Sequence, residues 1–170
     1  MSTHRTFLRT LTGITAAGVL VGGLTSSKLV AANQTASLTV NASVANNCTI
    51  STTAVAFGAY DPVTANATVD ATANGHVFVA CTKGAAATVD LGNGGAADPN
   101  SRKLASGANS LNYQLYKSDA TTVWSAGAGG VTYSSTSKTQ TDLVVVGKVP
   151  GGQDIPAGTY TNTIVATVNF

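Results

Sequence analysis

Beyond residue 32, one histidine, two cysteines and seven aspartates are the side chains that could do chemistry in this chain. A single histidine is enough for a Ser-His-Asp site. His76, however, stands in a β-like run with Val77, Phe78 and Val79, and no G-x-S-x-G occurs to supply a nucleophile elbow. Its neighbours favour a histidine on a strand edge or a surface. There is no H-x-x-x-H or C-x-x-C, so the usual zinc spacings are missing. Asp90, Asn93, Asp98 and Asn100 crowd one stretch and could face a Ca²⁺ ion, but they lack the D-x-[DN]-x-[DN]-G spacing and read as a solvated turn. Seven Asp could meet in space as a glycosidase pair. The nine aromatics after residue 32 suffice for one small core, and Trp124 and the tyrosines are better placed there than in a sugar cleft. No catalytic, cofactor-binding or metal-ligating residue is therefore assigned.

The cysteines belong to a different argument. Arg5 and Arg9 precede an apolar run across residues 11–24, and Val30-Ala31-Ala32 supplies small or β-branched residues for a signal peptidase. This pattern predicts a secretory signal over residues 1–32. The rival, a transmembrane anchor, needs about 20 apolar residues, and Thr12, Thr15 and several Gly dilute this run. In an exported chain, Cys48 and Cys81 read as one disulfide, with buried free thiols as the other possibility. The bond would close a loop of about 34 residues and contribute roughly 3–4 kcal/mol by chain entropy.

Export also changes the charge. The whole chain carries nine Lys and Arg against seven Asp, net +2, but Arg5, Arg9 and Lys28 fall within the leader. Six cations then face seven Asp, net −1, which leaves nothing basic to bind a phosphate backbone.

The elements that must carry these residues are strands. The chain has no Glu, only 9% of it is charged, and Thr, Ala, Val, Gly and Asn dominate. Long helices need Glu, Lys, Leu and Arg on their solvent faces, whereas Thr and Val favour strands and Gly and Asn favour turns. Strands are predicted over residues 48–57, 76–82, 87–91, 111–116 and 143–149, with short ones at 121–124 and 131–133. Residues 58–62, 92–100, 127–130 and 150–152 carry the turn signals. Several short strands between frequent turns predict a single β-sandwich.

The two flanking strands stand out. In residues 36–44, Ala36, Leu38, Val40, Ala42 and Val44 alternate with Ser37, Thr39, Asn41 and Ser43. In residues 159–170, Tyr160, Ile164, Ala166, Val168 and Phe170 share one parity, with Asn162 as the polar exception. Each spans about 10 residues, roughly 33 Å of strand. Both could pair within their own domain. Alternatively the first, lying ahead of the disulfide, could leave its domain and pair with another subunit.

Several segments, in order, resemble the spore coat protein U family, which includes pilins of archaic, Csu-type chaperone–usher pili. Phe57-Gly58-Ala59-Tyr60-Asp61-Pro62 is similar to its F-G-x-Y-D-P segment, and Cys48-Thr49-Ile50 and Cys81-Thr82 to its two cysteine strands. Arg102-Lys103-Leu104, Leu111-Asn112-Tyr113-Gln114-Leu115-Tyr116 and Val149-Pro150-Gly151-Gly152-Gln153 resemble its R-x-[ML], L-x-Y-x-L-Y and I-P-x-G-Q segments. Gly158-Thr159-Tyr160 and Val168-Asn169-Phe170 resemble its G-x-Y and final V-x-F. Two departures occur near loops: Ser125 rather than Gly follows Trp124, and Val146-Gly147 stands where a Tyr is common.

The resemblance implies an all-β, incomplete immunoglobulin-like β-sandwich, residues 46–170, with one disulfide and a missing final strand. It implies a groove along the strand bearing Tyr160, Ile164, Ala166, Val168 and Phe170. A periplasmic chaperone would fill that groove first. At an outer-membrane usher, a donor strand over residues 33–45 of the next subunit, offering Leu38, Val40, Ala42 and Val44, would replace the chaperone. The expected protein is a structural pilus subunit at the cell surface with a role in adhesion and biofilm formation, not an enzyme, and without cofactor or nucleic acid. The alternative is a secreted coat or matrix protein of the same fold that is complemented by its own first strand.

Overall fold

The computed structural model describes residues 31–170. The leader expected over residues 1–32 lies almost entirely outside them. The chain divides into two units, Met1–Asn41 and Ala42–Phe170.

Among the described residues nine strands form in chain order: β1 Cys48–Thr53, β2 Ala71–Cys81, β3 Ala86–Leu91, β4 Lys103–Ser106, β5 Asn109–Asn112, β6 Gln114–Tyr116, β7 Val131–Ser134, β8 Thr141–Val149 and β9 Ala166–Asn169. They make a four-stranded sheet ordered β1-β2-β8-β6, a three-stranded sheet ordered β7-β3-β9, and the β4-β5 hairpin. Every ladder is antiparallel.

Alternation along β2 and β8 builds one face of the core. Val77, Val79 and Cys81 of β2 and Val145 and Val149 of β8 are buried, while His76, Phe78 and Ala80 turn outward. The register places Val77 opposite Leu143 and Ala71 opposite Val149, so the inward residues share a face. Val89 and Leu91 of β3 supply the facing layer. Trp124 fills the space between, 1% exposed, with its indole N–H donating to the Val89 carbonyl at 2.8 Å. That bond satisfies the one polar group of a large apolar ring.

Three expectations change at this level. The strand expected over residues 48–57 stops at Thr53, because the chain then lifts off the sheet edge to pack over two glycines. A Cβ on Gly75 would stand 2.7 Å from a Val55 methyl, and one on Gly147 would stand 2.5 Å from Val55 and 2.7 Å from Phe57. The glycines are the hollows that Val55 and Phe57 occupy. The strand expected over residues 111–116 is two strands. β5 pairs with β4 and β6 with β8, and the chain changes sheet at the buried Tyr113, whose N–H donates to the Arg102 carbonyl. The β4–β5 hairpin, closed by a two-residue turn with Gly107 at φ 59°, was not anticipated, since its short Ser- and Ala-bearing arms carry little alternation.

The segment expected as a strand over residues 36–44 forms no ladder, and every side chain from residue 31 to 47 is exposed. Leu38, Val40 and Val44 are 88%, 85% and 84% exposed. A strand gains its stability from a paired edge and a covered face, and here it has neither.

Candidate functional site

Two edges of the sandwich approach each other without closing. β1 ends one sheet and β9 ends the other, and they come into contact without a hydrogen-bonded ladder between them. Beyond Thr53 the first edge continues as residues 54–60. The second edge begins upstream of β9, where Thr161 exchanges hydrogen bonds with Ala105 at 2.8 and 3.0 Å and Gly92 donates to the Val165 carbonyl at 2.9 Å. Those bonds tie residues 159–166 to the domain on one side only. The other side borders a groove.

The groove has two parts. The larger, about 700 Å³, lies among Val55, Phe57, Tyr60, Leu104, Ile155 and Tyr160. The smaller, about 260 Å³, lies among Thr52, Val77, Leu91, Leu115, Ile164 and Ala166. Val55, Phe57, Leu104 and Asn162 line both, so the two are continuous. Tyr160, Asn162, Ile164, Ala166 and Val168 are all half-buried and alternate with exposed residues, as the sequence parity requires. Phe170, expected on the same face, is instead 58% exposed. The opposite wall, formed by Val55, Phe57, Leu104 and Ile155, was not singled out from sequence. The available signals were the F-G-x-Y-D-P resemblance around Phe57 and the R-x-[ML] resemblance that ends on Leu104.

Hydrogen bonds hold that wall in place. The Tyr60 hydroxyl donates to the Pro150 carbonyl at 2.9 Å and accepts from the Gln153 amide at 3.1 Å. Gln153 also pairs with the Asn112 backbone, accepting its N–H at 2.8 Å and donating to its carbonyl at 2.9 Å. Asp61 caps the adjoining turn by accepting from the Val63 and Thr64 amides and the Thr64 hydroxyl. Segments from three distant parts of the chain are thereby joined beside the groove mouth.

Arg102 is wholly buried. Its guanidinium donates to the carbonyls of Gly92 and Trp124, each at 2.8 Å, and to Gln114 Oε1 at 2.7 Å. No carboxylate comes within ion-pair reach of it among the described residues. Burial pulls its pKa below the usual value, and burial pushes the neighbouring Tyr113 hydroxyl up.

Cys48 and Cys81 are bonded, with Cα atoms 4.1 Å apart. They face each other as the first residue of β1 and the last of β2. The chain then continues backwards from Cys48 along Thr82. The Thr82 N–H donates to the Asn47 carbonyl at 2.9 Å, and its hydroxyl donates to the Ala45 carbonyl at 3.3 Å. Residues 45–47 thus leave the domain at the end of β1 remote from the groove. Removing the bond by C48S/C81S should lower stability by about 2–5 kcal/mol, read as a lower urea midpoint.

His76 does not take part in the groove's hydrogen bonding. Its Nδ1 lies 2.8 Å from Asp142 Oδ1, and its ring stacks on Phe78 with centroids 5.7 Å apart, on the outer face of the four-stranded sheet. Of Asp90, Asn93, Asp98 and Asn100, Asp98 caps its own turn by accepting from the Asn100 amide at 2.7 Å. No three His, Cys, Asp or Glu side chains converge among the described residues.

Two aspartates make stability depend on pH. The Thr64 hydroxyl, then the Val63 and Thr64 amides, hold Asp61 below its ordinary 3.8. The Thr122 hydroxyl, then the Thr122 and Thr121 amides, hold Asp119 well below it. A depressed carboxyl contributes stability above its unfolded pKa and loses it as pH falls through the folded one. Their contribution to the melting temperature should therefore be fully present above about pH 5 and be lost as the pH falls below about pH 4. D61N/D119N should shrink that loss.

An all-β sandwich with one cross-strand disulfide is a fold this chain shares with known proteins. The profile of the Spore Coat Protein U domain family matches residues 34–167. Protein U of Myxococcus xanthus is 35% identical over 92% of this chain and 94% of its own. A chain in the crystal structure of the CsuC–CsuE chaperone–tip adhesion subunit pre-assembly complex, from archaic chaperone–usher Csu pili of Acinetobacter baumannii, superposes with a TM-score of 0.56 at 22% identity. That match covers 75% of this chain and 40% of the solved one, and it shows a shared fold. The chain belongs to the Spore Coat Protein U domain family, a family of structural coat domains rather than enzymes.

Proposed function

We propose that the chain is a structural subunit of a chaperone–usher surface pilus and polymerises by donor-strand exchange. The observation that carries this reading is a pair of complementary features in one chain: an apolar groove between unpaired strand edges, and an exposed segment whose apolar residues alternate. Residues 33–45 are the donor strand. Leu38, Val40, Ala42 and Val44 enter the groove of the preceding subunit beside Tyr160, Ile164, Ala166 and Val168, and Phe170 marks the exposed end of that acceptor strand. Each Leu or Val buried contributes roughly 1.5–3 kcal/mol, and each ladder hydrogen bond about 1 kcal/mol net. Head-to-tail donation does not close on itself, so it produces a fibre.

A periplasmic chaperone shields the groove until an outer-membrane usher exchanges it for the next subunit. The protein is thereby exported, after removal of residues 1–32, to a surface filament that serves adhesion and biofilm formation. Support for donation to a neighbour comes from residues 45–47, which run along Thr82 away from the groove, so self-insertion would require the chain to reverse. The second reading, a self-complemented coat or matrix protein, is favoured by the family's coat-protein character.

Surface-sheared protein run on a denaturing gel, unheated beside boiled, separates the two. A ladder that collapses to one band on boiling supports the pilus. A single monomer band in both lanes supports self-complementation and ends the donor role of residues 33–45.

A further inference from the structure

We propose that Asn162 sets the register of the inserted strand by admitting only a small side chain, Ala42, against itself. This rests on the donor-strand reading above and supplies the pairing that reading leaves open. Asn162 is the one polar residue on the inward parity from Tyr160 to Val168. Its amide is fixed from three sides. Nδ2 donates to the Tyr113 hydroxyl at 3.1 Å, and Oδ1 accepts from the Thr163 amide at 2.7 Å. Gly94 closes in on it, since a Cβ there would stand 2.5 Å from Nδ2. Asn162 lines both cavities together with Val55, Phe57 and Leu104, so it sets a fixed polar step where the two hollows of the continuous groove meet.

A Val or Leu lying over that step would cover the remaining amide hydrogen and lone pair, and a buried amide left unsatisfied is costly. The single methyl group of Ala leaves room for water. Of the four donor side chains Ala42 alone is small, and Val40 and Val44 flank it at two-residue spacing. Tyr160 and Ile164 flank Asn162 at the same spacing. With Ala42 on Asn162, the two valines fall into the two hollows whichever way the donor runs. A shift of two residues in either direction puts a valine on the amide.

Cysteine pairs in the full exported chain test the register. Directly opposed cross-strand Cβ atoms lie about 4.5–5.5 Å apart, close enough for a disulfide after small adjustment, whereas diagonal neighbours lie about 7–8 Å apart. The pair beside the contact is cross-linked, so that Ala42 and Asn162 are both kept. After oxidation and boiling without reductant, V40C/I164C (donor antiparallel to the acceptor strand) or V44C/I164C (donor parallel to it) should leave a covalent ladder that a reductant dissolves. L38C/I164C, which reports the antiparallel shift that puts Val40 on the amide, should leave none. A boil-resistant ladder from L38C/I164C, or from none of the three while the unheated ladder persists, overturns the register and leaves donor-strand exchange standing. Loss of the unheated ladder from wild-type chain overturns both. A42L keeps the groove intact and should reduce the unheated ladder about tenfold, the equivalent of about 1.4 kcal/mol; assembly at the wild-type level would overturn the proposal.

Discussion

Val40→Asp should remove the unheated ladder altogether while leaving the monomer's unfolding free energy in urea within about 0.5 kcal/mol of wild type, the usual range for exposed sites. The two halves of this expectation come from one fact. Val40 is 85% exposed in the single chain, so the substitution removes no internal contact. In the assembled fibre the same side chain would lie in an apolar groove, where an unpaired carboxylate costs several kcal/mol after relaxation. Adding the lost valine burial, roughly 1.5–3 kcal/mol, makes the joint untenable. Loss of both the ladder and monomer stability would mean that Val40 packs inside its own domain. An unchanged ladder would mean that the strand is not a plug.

Arg102→Met should cost about 3–5 kcal/mol of unfolding free energy, the net of three lost charged hydrogen bonds and the release of one buried, unpaired charge. Methionine has a similar volume, so a cavity is not the cause. The carbonyls of Gly92 and Trp124 and the Gln114 oxygen would each lose a charged donor, and hydrogen bonds to charged groups contribute about 1.5–3 kcal/mol each. Arg102→Lys should fall between, because a single ammonium cannot span three acceptors held by a planar fork. Urea unfolding of the three proteins at one pH checks the order.

What could be read from sequence is what lies in short-range pattern. Val77, Val79, Cys81, Val89 and Leu91 alternate with polar or outward residues, and all five are buried. The parity of Tyr160, Ile164, Ala166 and Val168 is equally local, and the count of two cysteines is as plain. The far wall of the groove is not local. Val55 and Phe57 leave the sheet because Gly75 and Gly147, 20 and 90 residues further on, provide hollows for them. Arg102 gave no sign of its role as a buried tie, since two of its three acceptors are backbone carbonyls, which carry no residue identity. Residues 36–44 were legible as a strand but not as one without a partner, because alternation describes faces and says nothing about which edge will pair.

The position of the disulfide bears on how such a fibre would carry load. Tension in a head-to-tail filament enters each subunit through residues 45–47 and reaches the domain at Cys48. Without a cross-link, that pull would peel β1 from the edge of its sheet one hydrogen bond at a time. The bond to Cys81 passes the force directly to β2, an interior strand flanked by β1 and β8. The sheet is then sheared along its length instead of unzipped from its end, and the weakest element in series becomes the joint between subunits. A thiol reductant would thus convert a filament that fails by parting at its joints into one whose subunits stretch first.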